Sequence, residues 1–174
     1  MALTVKPVGW AAALCALLVL VTGCGSGPAY SEPAERSVAA SAAASPSRSG
    51  ERRPLGDNLS ITVSGPTSFV PTDSAYPKSP RALGFDVTVE NHGTTAYRPT
   101  VLVLTATADG VTARQVIDST QGYAGLVGDV EIAPGAKARF SVAFAAPEQR
   151  VSVQLSAQPD PASRSMVMVF EGVA

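Results

Sequence analysis

The chain has 174 residues, with 13 basic and 14 acidic side chains and a formal net charge of −1. Charged residues make up only 16% of the sequence, whereas hydrophobic residues make up 45%. Nucleic-acid binding needs clustered Lys and Arg to neutralise phosphates, so this balance excludes nucleic acid as a partner. The length indicates one domain with an extension.

The first residues have the pattern of an export signal. Lys6 and the amino terminus supply positive charge, and an apolar run of 12 residues follows at positions 10–21. A helix that spans a membrane needs about 20 apolar residues, whereas a secretory signal needs roughly 7–15. The sequence therefore predicts export rather than a transmembrane helix.

The run ends in Val21, Thr22, Gly23 and Cys24, which together resemble the bacterial lipobox. Small residues at the second and third positions let an extended segment enter a signal peptidase, and the Cys24 thiol is the nucleophile that accepts diacylglycerol. We therefore predict a lipoprotein signal peptide at 1–23 and a mature chain that begins with lipid-bearing Cys24. Two acyl chains, palmitate among them, would hold the protein stably at the extracytoplasmic face of the cell membrane.

The chain has one other cysteine, Cys15, which lies inside the apolar run. Removal of the signal and lipidation of Cys24 would leave the mature protein without a free thiol. This excludes cysteine nucleophiles, thiol redox chemistry and thiolate metal sites.

Residues 24–55 are rich in Ser, Ala, Pro and Gly and nearly lack large apolar side chains. Such a segment cannot bury enough surface to offset the entropy of ordering, so the composition predicts a disordered tether. About 30 residues of this kind have an r.m.s. reach of roughly 30 Å.

Residues 56–174 alternate apolar and polar side chains with a period of two, which is typical of strands. Predicted strands cover residues 59–63, 83–89, 100–107, 112–118, 139–144, 151–155 and 165–170. Residues 68–80 and 119–137 are predicted to be long loops, and 133–136 (APGA) suits a type II turn. The pattern indicates an all-β fold, an immunoglobulin-like antiparallel β-sandwich of about seven strands.

A set of strand and turn residues in this region also carries a family resemblance. The set comprises Leu59, Ile61, Val63, Phe85, Val87, Val89, Asn91, Gly93, Ala108–Gly110, Ala133–Gly135, Phe140, Val142, Phe144 and Pro147. It resembles the immunoglobulin-like domain of Gram-positive surface lipoproteins, akin to the mycobacterial immunogenic secreted antigens. The resemblance implies a sandwich outside the cytoplasm, and it implies neither an activity nor a functional residue.

Catalytic and metal-binding patterns are sparse. His92, the single histidine, stands in a turn-forming Asn-His-Gly stretch, and no Gly-x-Ser-x-Gly motif occurs, so we predict neither an enzyme nor a cofactor. Met166 and Met168 share a strand face with Phe170; they are read as core residues or, with His92, as a copper(I) site. Three loop acids could instead gather around calcium: Asp118, Asp129 and Glu131.

Function is therefore expected to lie in surface loops, which carry binding sites in such sandwiches. Four aromatic residues lie in or beside the predicted loops: Phe69, Tyr76, Tyr97 and Tyr123. They either anchor an envelope protein or glycan, or pack the loops onto the sandwich. The sequence predicts a membrane-anchored interaction module of unknown ligand, with metal handling as the alternative.

Overall fold

The computed structural model describes residues 48–126, 128 and 130–174. Ten strands follow one another along the chain: β1 (Arg52–Gly56), β2 (Leu59–Val63), β3 (Thr67–Phe69), β4 (Arg81–Asn91), β5 (Val103–Ala108), β6 (Val111–Ala113), β7 (Gln115–Val116), β8 (Lys137–Ala146), β9 (Ser152–Gln158) and β10 (Val167–Val173). Two short 3-10 helices, Pro99–Val101 and Ser119–Gln121, are the only helical turns among the described residues.

The strands form two antiparallel sheets. Sheet 1 has the order β1-β2-β4-β8-β7, and β3 pairs with β4 beyond the end of β2. Sheet 2 has the order β10-β9-β5-β6. The sheets pack face to face as a β-sandwich, which confirms the predicted fold class.

The main core lies between the sheets and is built from alternate positions of each strand. In β4, Phe85, Val87 and Val89 are at most 1% exposed, as their period-two spacing predicted. Phe85 packs edge-on against Phe144 of β8 and Phe170 of β10, with ring centroids 6.3 and 5.5 Å apart. Burying each large side chain contributes about 1.5–3 kcal/mol, so this core dominates the stability of the domain.

The sandwich begins earlier than the sequence predicted. The sequence predicts that residues 52–55 belong to the tether, but in the structure they lie in β1, which pairs with β2 at the edge of sheet 1. Leu55 is only 1% exposed, and Arg52 forms an ion pair with Glu90 of β4 at 3.0 Å. The Arg-Arg-Pro sequence does not show the apolar alternation of a buried strand. It is compatible with an edge strand, where Pro and charged residues are tolerated.

Other boundaries shift for local reasons. The strand predicted from position 100 begins only at Val103, because Pro99 opens a 3-10 turn. The strand predicted at 112–118 is two strands, since the chain leaves sheet 2 after Ala113 and enters sheet 1 at Gln115. The first predicted loop contains part of β3.

The predicted turn at 133–136 is confirmed. Gly135 has φ of +76°, which a type II turn requires at its third position, and the Ala136 N–H donates to the Ala133 carbonyl at 3.0 Å. The turn leads into β8, whose residues Val142 and Phe144 face the main core.

Candidate functional site

A second apolar cluster lies on the outer face of sheet 1, beneath the loops at 70–80 and 117–126. We call it the outer cluster. Its fully buried members are small or β-branched: Ala75, Ala82, Val116 and Ala143. Two of the predicted loop aromatics, Phe69 and Tyr123, pack against these residues and are half-buried.

The Phe69 and Tyr123 rings stack on each other, with centroids 4.5 Å apart and planes 11° from parallel. The Tyr123 ring lies over Gly84 of β4, where an added Cβ would collide with the Tyr123 hydroxyl oxygen and with the ring carbons next to it. Burial, and secondarily the negative charge of Asp86, raises the pKa of the Tyr123 hydroxyl. Glycine at this position therefore makes room for the ring that covers the sheet.

The carboxylate of Asp118 ties the two loops together. Asp118 is 1% exposed, and it accepts hydrogen bonds from the Thr72 N–H at 2.8 Å, the Thr72 hydroxyl at 2.9 Å and the Gln121 amide at 3.2 Å. The backbone hydrogen bond from Thr72 is the largest cause that lowers the pKa of Asp118. Thr72 and Asp118 stand 46 positions apart, so no local sequence signal could have predicted the contact.

The calcium interpretation of the loop acids is not supported by these contacts. The carboxylate oxygens of Asp118 are occupied by Thr72 and Gln121, whereas Glu131 forms a separate ion pair with Arg98 at 2.7 Å. Asp129 lies outside the described residues. Across the part of the chain that the structure describes, no three His, Cys, Asp or Glu side chains group as metal ligands.

Tyr76 is the predicted loop aromatic that the structure leaves exposed, at 78%. Its backbone pairs with Ile117 through two hydrogen bonds of 2.9 and 2.8 Å, so the two side chains lie on the same side of this short ladder. Ile117 is 39% exposed, and Val70 in the same loop is 74% exposed. Tyr76 and Ile117 therefore form an exposed apolar patch beside the outer cluster, which we call the Tyr76 patch.

Tyr97 lies near the opposite end of β4. Its backbone pairs with Ile132, and its hydroxyl donates to the Pro159 carbonyl at 2.5 Å. Burial, followed by the charge of Asp160, raises the pKa of Tyr97 to about 12. The ring lines a cleft of about 420 Å³ together with Asp57 and Asp160.

His92 follows the last residue of β4, as predicted for a turn residue, and its ring is half-exposed. Its Nε2 atom lies 3.2 Å from the Ser60 hydroxyl and 3.4 Å from a Glu90 carboxylate oxygen. A Ser-His-acid relay requires the acid on the other ring nitrogen. Here both neighbours share one nitrogen, and Glu90 also pairs with Arg52, so the three residues do not form that relay.

The methionines do not share a face with Phe170 as predicted. Met168 pairs with Ser156, on the outer face of sheet 2, and Met166 precedes β10 and is 59% exposed. A bulge between Met168 and Phe170 breaks the alternation and turns Phe170 into the core. His92 borders sheet 1, and its polar neighbours are Ser60 and Glu90, so no contact supports the copper site.

The predicted lipobox residues, Val21, Thr22, Gly23 and Cys24, lie outside the described residues, as does Cys15. Lipidation at Cys24 therefore stays a prediction. Within the described ranges, no helix has the length and apolarity needed to cross a membrane.

No protein-family model and no curated protein matches this sequence. Solved structures with the same fold include a Bacillus subtilis protein (ycdA) that is provisionally described as a lipoprotein. It matches with a TM-score of 0.57 at 12% identity, over 72% of this chain and 39% of its own length. This chain thus spans well under half of that protein.

Two further structures are covered almost completely. The yjhA protein of Bacillus subtilis matches with a TM-score of 0.54 at 14% identity, over 70% of this chain and 97% of that one. The secreted protein MPT63 of Mycobacterium tuberculosis matches with a TM-score of 0.53 at 19% identity, over 74% and 99%. At these identities the likeness shows a shared sandwich fold, and it shows no sequence family.

Proposed function

We propose that this chain is an exported lipoprotein, anchored through Cys24, which presents a non-catalytic interaction domain at the extracytoplasmic face of the cell membrane. The observation that carries the proposal is the lipobox-like Val-Thr-Gly-Cys at the end of an apolar run of signal-peptide length. Fold neighbours described as a provisional lipoprotein and as a secreted protein support an extracytoplasmic setting.

The non-catalytic part of the proposal rests on the chemistry around His92. Its Nε2 atom faces both the Ser60 hydroxyl and Glu90, so the two groups compete for the same ring nitrogen. The carboxylate does not bind the other nitrogen, from which it would orient the ring to accept a proton from Ser60. Hydrolysis of an ester or amide by the purified protein that disappears in His92→Ala would contradict this part of the proposal.

The interaction surface that we propose is the Tyr76 patch. Its loops are held by the Asp118 hydrogen bonds and by the stacked rings of the outer cluster, so Tyr76 is presented on a supported loop. Exposed aromatic side chains on such loops supply binding area at low conformational cost, and the partner class is an envelope protein or glycan.

The anchor is tested by Cys24→Ala in the full chain expressed in a Gram-positive host, with Cys15→Ala as the matched control. We expect Cys24→Ala to lose palmitate labelling and to leave the membrane fraction, because no acceptor thiol remains at the lipobox. Cys15→Ala should retain both. A Cys24→Ala protein that is still labelled and membrane-bound would disprove the anchor.

The surface is tested with a photo-crosslinking amino acid at Tyr76 in the full chain, in living cells. The control position is Val111, which is similarly exposed at 71% but lies on the edge strand of sheet 2. We expect adducts with an envelope component at Tyr76 and not at Val111. Equal adducts at both positions, or none at Tyr76, would reject the patch as the binding surface.

A further inference from the structure

A cleft of about 480 Å³ lies at the end of the sandwich where β4 begins and β8 ends. Pockets that hold small ligands have volumes of about 300–1,000 Å³, so this cleft has room for one. Its lining combines apolar and charged side chains from three separate segments: Phe69, Val70, Pro80, Arg81, Glu148 and Arg150. The cleft therefore joins an apolar surface to two guanidinium groups.

Neutral oxygen atoms hold the Arg81 guanidinium in place. Its Nε–H donates to the Ser68 hydroxyl at 2.7 Å, and its Nη1 group donates to the carbonyl oxygens of residues 147–149 at 2.9 to 3.4 Å. Within the described part of the chain, Nη2 makes no hydrogen bond and the guanidinium forms no ion pair. Arg81 therefore keeps a fixed orientation, an uncompensated charge and two N–H donors for a ligand.

The other charged groups leave the cleft with a net positive charge. Arg150 is exposed, and it forms neither an ion pair nor a side-chain hydrogen bond with any residue that the structure describes. The Glu148 carboxylate likewise forms no ion pair with these residues. Two guanidinium groups and one carboxylate give a charge of +1, which attracts a monovalent anion, whereas Glu148 would oppose a dianion more strongly.

The apolar wall determines what the anion is attached to. The Phe69 ring stacks on Tyr123 with centroids 4.5 Å apart, and Phe69 also borders the cleft. Val70, the next residue, is 74% exposed and lines the same cleft. A planar guanidinium matches a carboxylate through two parallel hydrogen bonds. A carboxylate on an apolar body would therefore pair with the charge and cover the exposed apolar surface at the same time.

We propose that this cleft binds a carboxylate whose apolar body lies against Phe69 and Val70. The carboxylate oxygens accept hydrogen bonds from Arg81, and Arg150 adds electrostatic attraction. A free organic acid and the C-terminal residue of a peptide both present this chemistry. The inference rests on neither the lipid anchor nor the Tyr76 patch.

The first test is an NMR titration of the isotope-labelled full chain, held in a neutral detergent, with N-acetylphenylalanine. We expect saturable shifts of the amide signals of residues 148–150, with a dissociation constant on the order of 1 mM for a ligand of this size. The neutral amide of this compound lacks the charge, and inorganic phosphate lacks the apolar body, so each should bind at least about tenfold more weakly. No saturable shift, or equal affinity for the amide or for phosphate, would overturn the proposal.

The two sources of the carboxylate are distinguished with hydrocinnamate, which has the same ring and carboxylate as N-acetylphenylalanine and lacks the peptide group. Tighter binding of hydrocinnamate supports a free acid as the ligand. Tighter binding of N-acetylphenylalanine supports the C-terminal residue of a peptide, because the peptide group then adds to the affinity.

Substitutions at the cleft provide the second measurement. Arg150→Gln removes one charge but leaves the contacts of Arg81 in place, and it should weaken binding of N-acetylphenylalanine about two- to fivefold. Glu148→Gln removes the opposing carboxylate and should strengthen binding about twofold. The matched control is Arg164→Gln, which removes an exposed arginine from the connection between β9 and β10 and should leave the affinity unchanged.

Thermal unfolding of each variant shows whether it remains folded. A folded Arg150→Gln protein with unchanged affinity, or equal losses of affinity in Arg150→Gln and Arg164→Gln, would also overturn the proposal.

Discussion

Sheet 1 contributes to two apolar clusters, one on each face. The main core is filled by large side chains such as Phe85, which come from the strands themselves. In the outer cluster the strands supply small residues such as Gly84 and Ala143, and the large rings are brought by the loops and the short strand β3. Strand β4 thus contributes large side chains to the main core, and on its other face Gly84 leaves room for the Tyr123 ring.

This difference indicates that the two clusters stabilise different parts of the domain. The main core joins the two sheets, whereas the outer cluster fixes the loops that carry the Tyr76 patch. Loss of a large core side chain should therefore unfold the domain, and loss of an outer ring should release the loops while the sandwich persists.

The largest expected effect compares two phenylalanines. Phe85→Ala should lower the free energy of unfolding by about 3–5 kcal/mol, because it leaves a cavity between the sheets. Phe69→Ala should lower it by only about 1–2 kcal/mol, since the Phe69 ring is half-buried and its removal costs the Tyr123 ring its one stacking partner. Urea denaturation of both variants measures the difference, and equal losses would show that the two clusters form one cooperative core.

The next effect concerns the space beneath Tyr123. In Gly84→Ala the new methyl group collides with the Tyr123 hydroxyl, and overpacking of this kind costs about 1–3 kcal/mol. The ring should swing away, and amide hydrogen exchange in residues 117–126 should become faster. Thr88→Ala, on the same face of β4, is the control and should leave this exchange unchanged.

Unchanged exchange in Gly84→Ala would mean that the loops do not depend on the position of the Tyr123 ring. That outcome would also weaken the view of the outer cluster as the support of the Tyr76 patch.

The smallest effect is the pH dependence of the loop contact. The hydrogen bonds from Thr72 lower the pKa of Asp118 below its ordinary value of 3.8, so the folded state favours the carboxylate. The stabilisation of the loop contact by Asp118 is therefore fully present above pH 3.8, and it is lost as the pH falls through the lowered pKa. The near-ultraviolet circular dichroism of the tyrosines should change as the pH falls through this range. The Asp118→Asn variant should show no such acid transition, and its dichroism signal should already be altered at neutral pH.

One result would show that the Asp118 carboxylate does not hold the loops. If Asp118→Asn kept the neutral signal and the acid transition of the native chain, another group would be responsible for both.

The sequence was informative where side-chain alternation alone decides burial. The spacing of Phe85, Val87 and Val89 predicted both the strand and its buried face, and the Pro-Gly pair at 134–135 predicted its turn. These features depend on neighbours in the chain, so a local pattern is sufficient to find them.

The outer cluster could not be predicted in the same way. Gly84 and Ala143 have no apolar bulk, so an alternating pattern marks their face as solvent-exposed. The rings that cover them come from positions far along the chain, and Thr72 reaches Asp118 across 46 positions. The lipobox at Val21 to Cys24 stays a prediction, and it rests on four neighbouring residues, so it needs no knowledge of the fold.

The position of β1 has a mechanical consequence. Any force transmitted from the residues before Arg48 first reaches the hydrogen bond from the Gly50 N–H to the Val63 carbonyl at 2.7 Å, and then β1, which pairs only with β2 among the described strands. Resistance to detachment comes from this hydrogen bond, the ladder of β1 with β2, the buried Leu55 side chain and the ion pair of Arg52 with Glu90. Detaching β1 would leave β2 still paired with β4, so the domain can yield at its first strand under load while the Phe85 core stays closed.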